Sequence, residues 1–321
     1  MAKQEGNDEG DEVRGTPMKA DYVIVGAGTA GCVLANRLTE SPDVSVCLLE
    51  AGARDSSPLI SLPMGETHLI GGKHDWSFDC EPEAQLDDYR FVMPRGKVLG
   101  GSSSINGQIY HRGHPRDYDE WAELGCDGWS FADVLPLFKQ TENWEEGANE
   151  YRGGTGQLET TRGRFDHPLF DAFMEAGQDC GYAQTDDYNG AEPEGFARVQ
   201  YTHTHKWLYR CSASRAYLRP VKNRSNLTVL TGAQATRIIL DQQRATGVEY
   251  VRDGKVNVVN AHAEVILSAG VYQSPQLLLL SGVGDPGELE RIDVKPRHSL
   301  GGVGYGLQDH FGSFLQYECR E

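Results

Sequence analysis

The sequence lacks long apolar runs. Stretches such as Leu277–Leu280 stay far below the ~18 residues of a spanning helix, and the polar, acidic start is no secretory signal. It is also short of positive charge, with 30 Lys and Arg against 47 Asp and Glu and a net charge of −17. That balance disfavours nucleic acid and anionic membrane surfaces as partners. Lysine is scarce beside arginine, which suits either a protein working in concentrated salt or an ordinary acidic cytosolic enzyme. No C-x-x-C pair occurs. The seven cysteines (32, 47, 80, 126, 180, 211 and 319) are odd in number and scattered. This excludes a disulfide framework and a zinc site and points to a reducing compartment, so cytoplasm is the expected location. His111 and His114 stand at i, i+3 without a third ligand and read as solvated or capping residues, leaving no metal site. His203 and His205 alternate along a short strand and read as solvated edge residues.

What the chain does have is one organising stretch, Asp21 to Gly52. Tyr22–Val25 reads as a buried parallel strand, Cys32–Leu38 carries helical spacing, and Val44–Leu49 reads as a second buried strand. Between them, Gly26-Ala27-Gly28-Thr29-Ala30-Gly31 matches G-x-G-x-x-G. Gly26 permits a tight turn, Gly28 leaves room for a pyrophosphate, and Gly31 lets the helix pack close to the strand. Glu50 closes the second strand, where a carboxylate accepts from both hydroxyls of a ribose. The unit predicts a dinucleotide site without separating NAD from FAD, although the acid argues against NADP.

Two further stretches carry information. Arg95–Gly107, RGKVLGGSSSING, is dense in backbone and hydroxyl donors and can lie against a polar ring or cradle phosphate. Ala263–Gly284, AEVILSAGVYQSPQLLLLSGVG, reads as strand, glycine turn and helix. Pro275 is expected near the first helical position, and Leu277–Leu280 is expected to be buried all round. Elsewhere, residues 53–90 read as an irregular excursion with an aromatic anchor at His74–Phe78. Helices are expected over Asp117–Leu124, Phe131–Glu142, His167–Gly177 and Arg210–Leu218. Strands are expected over Val199–His203, Asn226–Leu230, Ala235–Leu240, Ala245–Arg252, Val256–Val259 and Ala263–Leu267, with a hairpin turn at Asp253-Gly254.

Taken together, VIVGAGTAGCVLANRL with Glu50, RGKVLGGSSSIN, YHRGHPRDYDEWAELGCDGWSFADVLPLFK, SASRAYLRP followed by NLTVLTGAQATRI, and SAGVYQSPQLLLLSGVG resemble one family. It is the glucose-methanol-choline (GMC) family of FAD-dependent oxidoreductases, and the resemblance runs from about residue 20 to the end. The choline and alcohol dehydrogenase branch is the most similar. The resemblance implies an α/β fold: a Rossmann-like FAD/NAD(P)-binding domain built from discontinuous segments, with part of an antiparallel-sheet substrate domain. The expected divisions are a disordered leader at 1–19, FAD-binding segments at 20–155 and 223–310, a partial substrate-binding domain at 156–222, and the start of a further substrate-domain segment at 311–321.

The same resemblance implies site roles. Gly26, Gly28, Thr29, Ala30 and Gly31 would hold the pyrophosphate and Glu50 the adenosine ribose. Val98, Gly101, Ser102, Ser103, Asn106, Gly107, Gln108 and Ile109 would line the flavin, and Ala235 would offer backbone to the adenine. Gln308-Asp309-His310 resembles the family's QDH segment, although Gly301, Tyr305 and Gly306 depart from the PGVGEN that precedes it. Some members link the flavin to a histidine where this chain has Ile105, so FAD is expected to bind non-covalently. The implied reaction is hydride transfer from a primary alcohol, choline-like or other, to flavin N5. The family's proton-accepting histidine lies in a later segment, so no residue here is assigned as catalytic. The expectation is a truncated product or one part of a split enzyme with a separate C-terminal polypeptide. The alternative is an FAD-binding fragment that catalyses nothing alone. An NAD-linked dehydrogenase is the third reading, and the serine-glycine loop, which has no role in a nicotinamide site, counts against it.

Overall fold

The computed structural model describes residues 18–310 and Glu318. The leader expected at 1–19 therefore falls outside the described residues except for Met18 and Lys19, and the segment expected at 311–321 does so except for Glu318. In chain order the elements that matter are β1 (Met18–Val25), α1 (Thr29–Leu38), β2 (Val46–Glu50), α2 (Pro115–Glu123), α3 (Phe131–Thr141), β3 (Glu142–Trp144), β4 (Leu158–Arg162), α4 (Pro168–Asp179), β5 (Gln200–Tyr201), β6 (Leu227–Thr231), β7 (Gln234–Asp241), β8 (Arg244–Arg252), β9 (Lys255–Leu267), α5 (Gly270–Leu280) and α6 (Pro286–Arg291).

A six-stranded sheet runs in the order β6-β2-β1-β9-β8-β7. The first four strands are parallel, and β9, β8 and β7 form an antiparallel meander. Successive residues of β1 bury against opposite faces, as a strand covered on both sides must. Ile24 joins Cys32, Ala35, Leu48, Tyr217 and Leu218 on one face. Val23 and Val25 join Leu49, Val248, Val259 and Leu277 on the other. Cys32 and Cys47 are buried as expected, and burial pushes both thiols up to about 12. The chain leaves β1 towards β2 on one side while β9 flanks it on the other. The C-terminal end of β1 is therefore a topological switch point, where open α/β sheets bind ligands.

Several sequence expectations are corrected. Met18 and Lys19 are strand rather than leader, because they pair with Val259 and Asn260. Val256–Val259 and Ala263–Leu267 form one strand, since Asn260 and Ala261 stay in register with Lys19 and Ala20 and leave no room for a turn. Helix α5 starts at Gly270 with Pro275 inside it, and of its four leucines only Leu277 is buried. Leu280 is 46% exposed, because α5 covers the sheet with one face only. The expected helix over Arg210–Leu218 is one π-type turn, Ser214–Leu218, followed by a 3-10 turn.

A second, smaller sheet of β3, β4 and β5 is mixed rather than antiparallel. Strand β3 arrives from α3 and runs parallel to β4, while β5 runs antiparallel to β4. It is built around a fully buried carboxylate. Glu142 accepts from Arg112 Nη2 at 2.5 Å, Arg152 Nη2 at 2.5 Å, the Gly153 N–H at 3.0 Å and Thr160 Oγ1 at 3.0 Å. A buried charge survives only when paired and hydrogen-bonded in this way.

Candidate functional site: a glycine-lined cleft at the switch point

Three loops meet at the C-terminal end of β1. The Gly100 N–H donates to the Ala27 carbonyl at 2.8 Å, and the Ser268 N–H donates to the Val25 carbonyl at 2.8 Å. The approach leaves no space for side chains. Gly26 has φ +97°, and a Cβ there would lie 2.5 Å from the Ser268 carbonyl oxygen. A Cβ on Gly101, at φ +54°, would lie 2.7 Å from Gly28 Cα. Gly31 stands behind them, where a Cβ would strike the Gly26 carbonyl oxygen at 1.9 Å.

These loops wall a cavity of about 760 Å³, within the ~300–1,000 Å³ of cofactor sites. Gly26, Gly28, Thr29 and Ala30 are among its lining residues. Helix α1 begins there with Gly28 as a cap that offers no side chain and no acid in the first turn. Its first intrahelical bond is Cys32 N–H to the Gly28 carbonyl. The preceding N–H groups are the helix's orphans, and they carry its positive dipole end. Helix α5 likewise begins without a side-chain cap or a first-turn acid.

Glu50 and Ala233–Thr236 line the cavity side by side, the Ala233 N–H donating to the Glu50 carbonyl at 2.9 Å. The Glu50 carboxylate accepts the Ala27 N–H at 2.9 Å through one oxygen and the Gly52 N–H at 2.8 Å through the other. Burial pushes its pKa up to about 7 against the pull of those bonds. Each oxygen keeps a lone pair for a further donor. In another part of the lining, Trp76 stacks on Phe78 at 5.8 Å, Phe78 meets the Tyr272 ring edge-on at 5.7 Å, and Arg95 lies 4.8 Å over Tyr272.

Of the residues singled out in the sequence, Gly26, Gly28, Thr29, Ala30, Glu50, Gly101, Ser102 and Ala235 line this cavity. The others lie elsewhere. Val98 is fully buried in a cluster with Ile60, Leu69 and Ile105. Ser103 uses its hydroxyl on the Gly100 carbonyl and the Ala213 N–H. Gly107 and Ile109 face out of the protein, Ile109 at 62% exposure, and the exposed Asn106 turns its Oδ1 back to Arg210 Nη1 at 2.8 Å. Gln108 is buried at φ +65° and donates to the Pro63 carbonyl at 2.6 Å. Its carbonyl oxygen then faces His203 Nε2 at 3.1 Å, so that nitrogen carries the proton.

His203 is thus not the solvated edge residue its spacing suggested. It is buried, stacks on Tyr201 at 4.9 Å, and burial with the nearby Arg210 charge lowers its pKa to about 4. His114 caps α2, as capping was expected, and His111 stacks on Tyr188. Among the described residues no group of three His, Cys, Asp or Glu could hold a metal. The aromatic wall of Trp76, Phe78 and Tyr272 was missed as a site feature. Its only signal was the lone aromatic cluster in the excursion after Ala53.

A family profile described as GMC oxidoreductase matches residues 20–312. The chain belongs to the GMC oxidoreductase family. The GMC chain is 48% identical over 304 residues to an oxygen-dependent choline dehydrogenase of Photobacterium profundum, covering 94% of itself and 53% of that protein. It is 45% identical to the protein of the same name from Rhizobium johnstonii, covering 93% and 54%. Among solved structures it is similar to pyridoxine 4-oxidase from Mesorbium loti (TM-score 0.83, 33% identity, 87% of this chain and 55% of that one). It is also similar to an FAD-dependent oxidoreductase from Chaetomium thermophilum (TM-score 0.83, 27% identity, 88% and 51%). The GMC chain spans about half the length of the curated relatives it matches. Among its described residues no helix is long and apolar enough to cross a membrane.

Proposed function

We propose that this chain is the FAD-binding part of an oxidoreductase acting on CH–OH donors, with a primary alcohol, choline-like or other, as the small-molecule substrate. The observation that carries the reading is the cavity itself, lined by uncapped helix N-termini and by a buried carboxylate with free lone pairs. FAD, when bound, supplies the electron sink that accepts hydride at N5.

This chain's residues do the holding. The orphan N–H groups of α1 neutralise a pyrophosphate, and the absence of side chains at Gly26 and Gly28 lets it approach the backbone. Glu50 accepts the hydroxyls of the adenosine ribose, and Ala235 offers backbone to the adenine. Gly101 and Ser102 would meet the flavin half of the cofactor, and Trp76, Phe78 and Tyr272 would exclude water beside it. Ile105 carries no nucleophile and is buried, which supports non-covalent binding. No described residue is assigned to take the alcohol's proton. We propose that a further segment or a separate polypeptide supplies that group, and a chain that only binds FAD is the second reading. A cytoplasmic location belongs to the same proposal.

The test is the visible spectrum of the purified chain with FAD, before and after desalting, followed by anaerobic choline and simple alcohols. Flavin bands that survive desalting but are released into the supernatant by acid precipitation are expected, and a chain that never retains flavin would overturn the reading. Bleaching by an alcohol selects the enzyme, and unbleached bound flavin selects the second reading.

A further inference from the structure

The serine-glycine loop is held from behind by one residue. Arg210 is 1% exposed and its guanidinium reaches into the loop, with Nη1 donating to the Asn106 carbonyl at 2.6 Å, to Asn106 Oδ1 at 2.8 Å and to the Ser103 carbonyl at 3.3 Å. Its Nε donates to the Ile60 carbonyl at 2.9 Å, and its own backbone N–H to the Ser61 carbonyl at 3.0 Å. The loop passes this restraint forward: the Ile105 and Asn106 N–H groups both donate to the Ser102 carbonyl, at 3.1 and 2.9 Å. In the glycine-serine part of the loop, from Gly100 to Gly107, Gly101 and Ser102 line the cavity.

The energetics of Arg210 are unusual for a purely structural residue. It is buried without a close anion, its nearest carboxylate oxygen being Glu66 Oε2 at 3.8 Å. Both that oxygen and Arg210 Nη2 lack a hydrogen-bond partner. Burial pushes the guanidinium down to about 10, so it remains charged at neutral pH. A buried charge left partly unpaired is costly, and an apolar residue of the same volume would fill the space at less expense. What an apolar residue cannot do is hold two loop carbonyls and an amide oxygen in one fixed geometry, which a planar guanidinium does.

We propose that Arg210 is a positioning residue for the flavin half of the cofactor: by fixing Ser103 and Asn106 it sets where Gly101 and Ser102 meet the ring system. This rests on the FAD reading above. It makes a directional statement, because the adenosine end is built from Glu50, Gly26–Gly31 and Ala235, none of which Arg210 hydrogen-bonds. Disturbing Arg210 therefore weakens FAD while leaving ADP, which carries only the adenosine and phosphates, unaffected.

The experiment compares FAD and ADP binding by titration calorimetry for the wild-type chain, Arg210→Met and Arg210→Lys, and records the absorption of bound flavin. The wild-type chain is expected to bind FAD more tightly than ADP. In Arg210→Met, FAD affinity is expected to fall about 10–100-fold, the loss of one or two charge-assisted bonds, with ADP affinity within twofold of wild type. The residual bound flavin should show bands shifted toward those of free FAD. Arg210→Lys keeps the charge but not the fork and should lie between the two. If Arg210→Met fails to fold, Arg210→Lys carries the test, since its ADP binding reports the fold. Equal loss of FAD and ADP in a folded variant, or FAD binding unchanged, overturns the proposal. A wild-type chain that binds ADP but not FAD overturns the FAD reading itself, a result distinguishable from both.

Discussion

The two sides of the cavity are held by different physics. Around Gly26–Gly31 and Glu50 the structure is backbone against backbone. Positive φ at Gly26, carbonyl contacts too close for a Cβ, and a carboxylate held by one main-chain N–H on each oxygen make a rigid seat at the end of buried apolar strands. Around the serine-glycine loop the structure is side chain against backbone. Arg210 reaches Asn106 across 104 positions of sequence, and the neighbouring small sheet closes over the Glu142, Arg112 and Arg152 charges. The first kind of site is specified mostly within about 30 residues, and the distant Gly100 and Ser268 meet it through backbone groups that no side chain has to supply. The second depends on polar groups that must all be present, because a half-satisfied buried network costs more than an apolar core.

Breaking the polar side should give the largest effect. Glu142→Ala leaves Arg112 buried without a carboxylate and Arg152 with Asp187 alone. It is expected to destabilise the chain by about 3–5 kcal/mol, the cost of removing one partner of a buried pair, read as a fall in urea midpoint at constant slope. An effect under 1 kcal/mol would mean that this network is far wetter than its burial indicates.

The next effect sharpens the nucleotide side. Glu50 titrates at about 7 when folded against 4.5 for the free side chain. A carboxyl whose folded value is raised holds its proton longer in the folded state, so its contribution to stability is fully present below pH 4.5 and is lost as pH rises to 7. Relative to Glu50→Gln, the cofactor-free chain should lose up to about 3 kcal/mol of stability across that window. FAD should reverse the sign, because ribose hydroxyls donate to the ionised form and tighten binding as pH rises towards 7. Parallel stability curves for wild type and variant from pH 4.5 to 7 would count against a buried, titrating Glu50.

The smallest change tests the backbone seat directly. Gly26→Ala forces a side chain into a positive-φ residue against the Ser268 carbonyl, and is expected to cost about 1–3 kcal/mol. ADP and FAD affinity should both fall, in contrast to the split expected at Arg210. Retained affinity for both ligands would show that the three loops have more give than their contacts suggest.

Legibility in the sequence follows the same division. The strand, turn, helix, strand and acid of Asp21–Gly52 were readable because their order and glycine spacing encode the turn itself, while the distant Gly100 and Ser268 meet it through backbone alone. Half of the serine-glycine loop was not. Val98 turns into an apolar cluster with Ile60 and Leu69, and Gln108 turns to His203 and Pro63, choices made by segments far away in the chain. His203 looked solvated by its alternation, yet it is buried because the loop that carries Gln108 closes over it.

By itself, then, the sequence determined the dinucleotide unit, the parallel sheet and the family, since these rest on periodicity, positive-φ glycines and motif order. Only the tertiary structure decided which residues of the later loops face the cavity, that Trp76, Phe78 and Tyr272 form one wall, and that Arg210 and Glu142 are buried. The reason is that burial and the pairing of charges belong to what packs against a residue, and for these residues the packing partners come from distant parts of the chain.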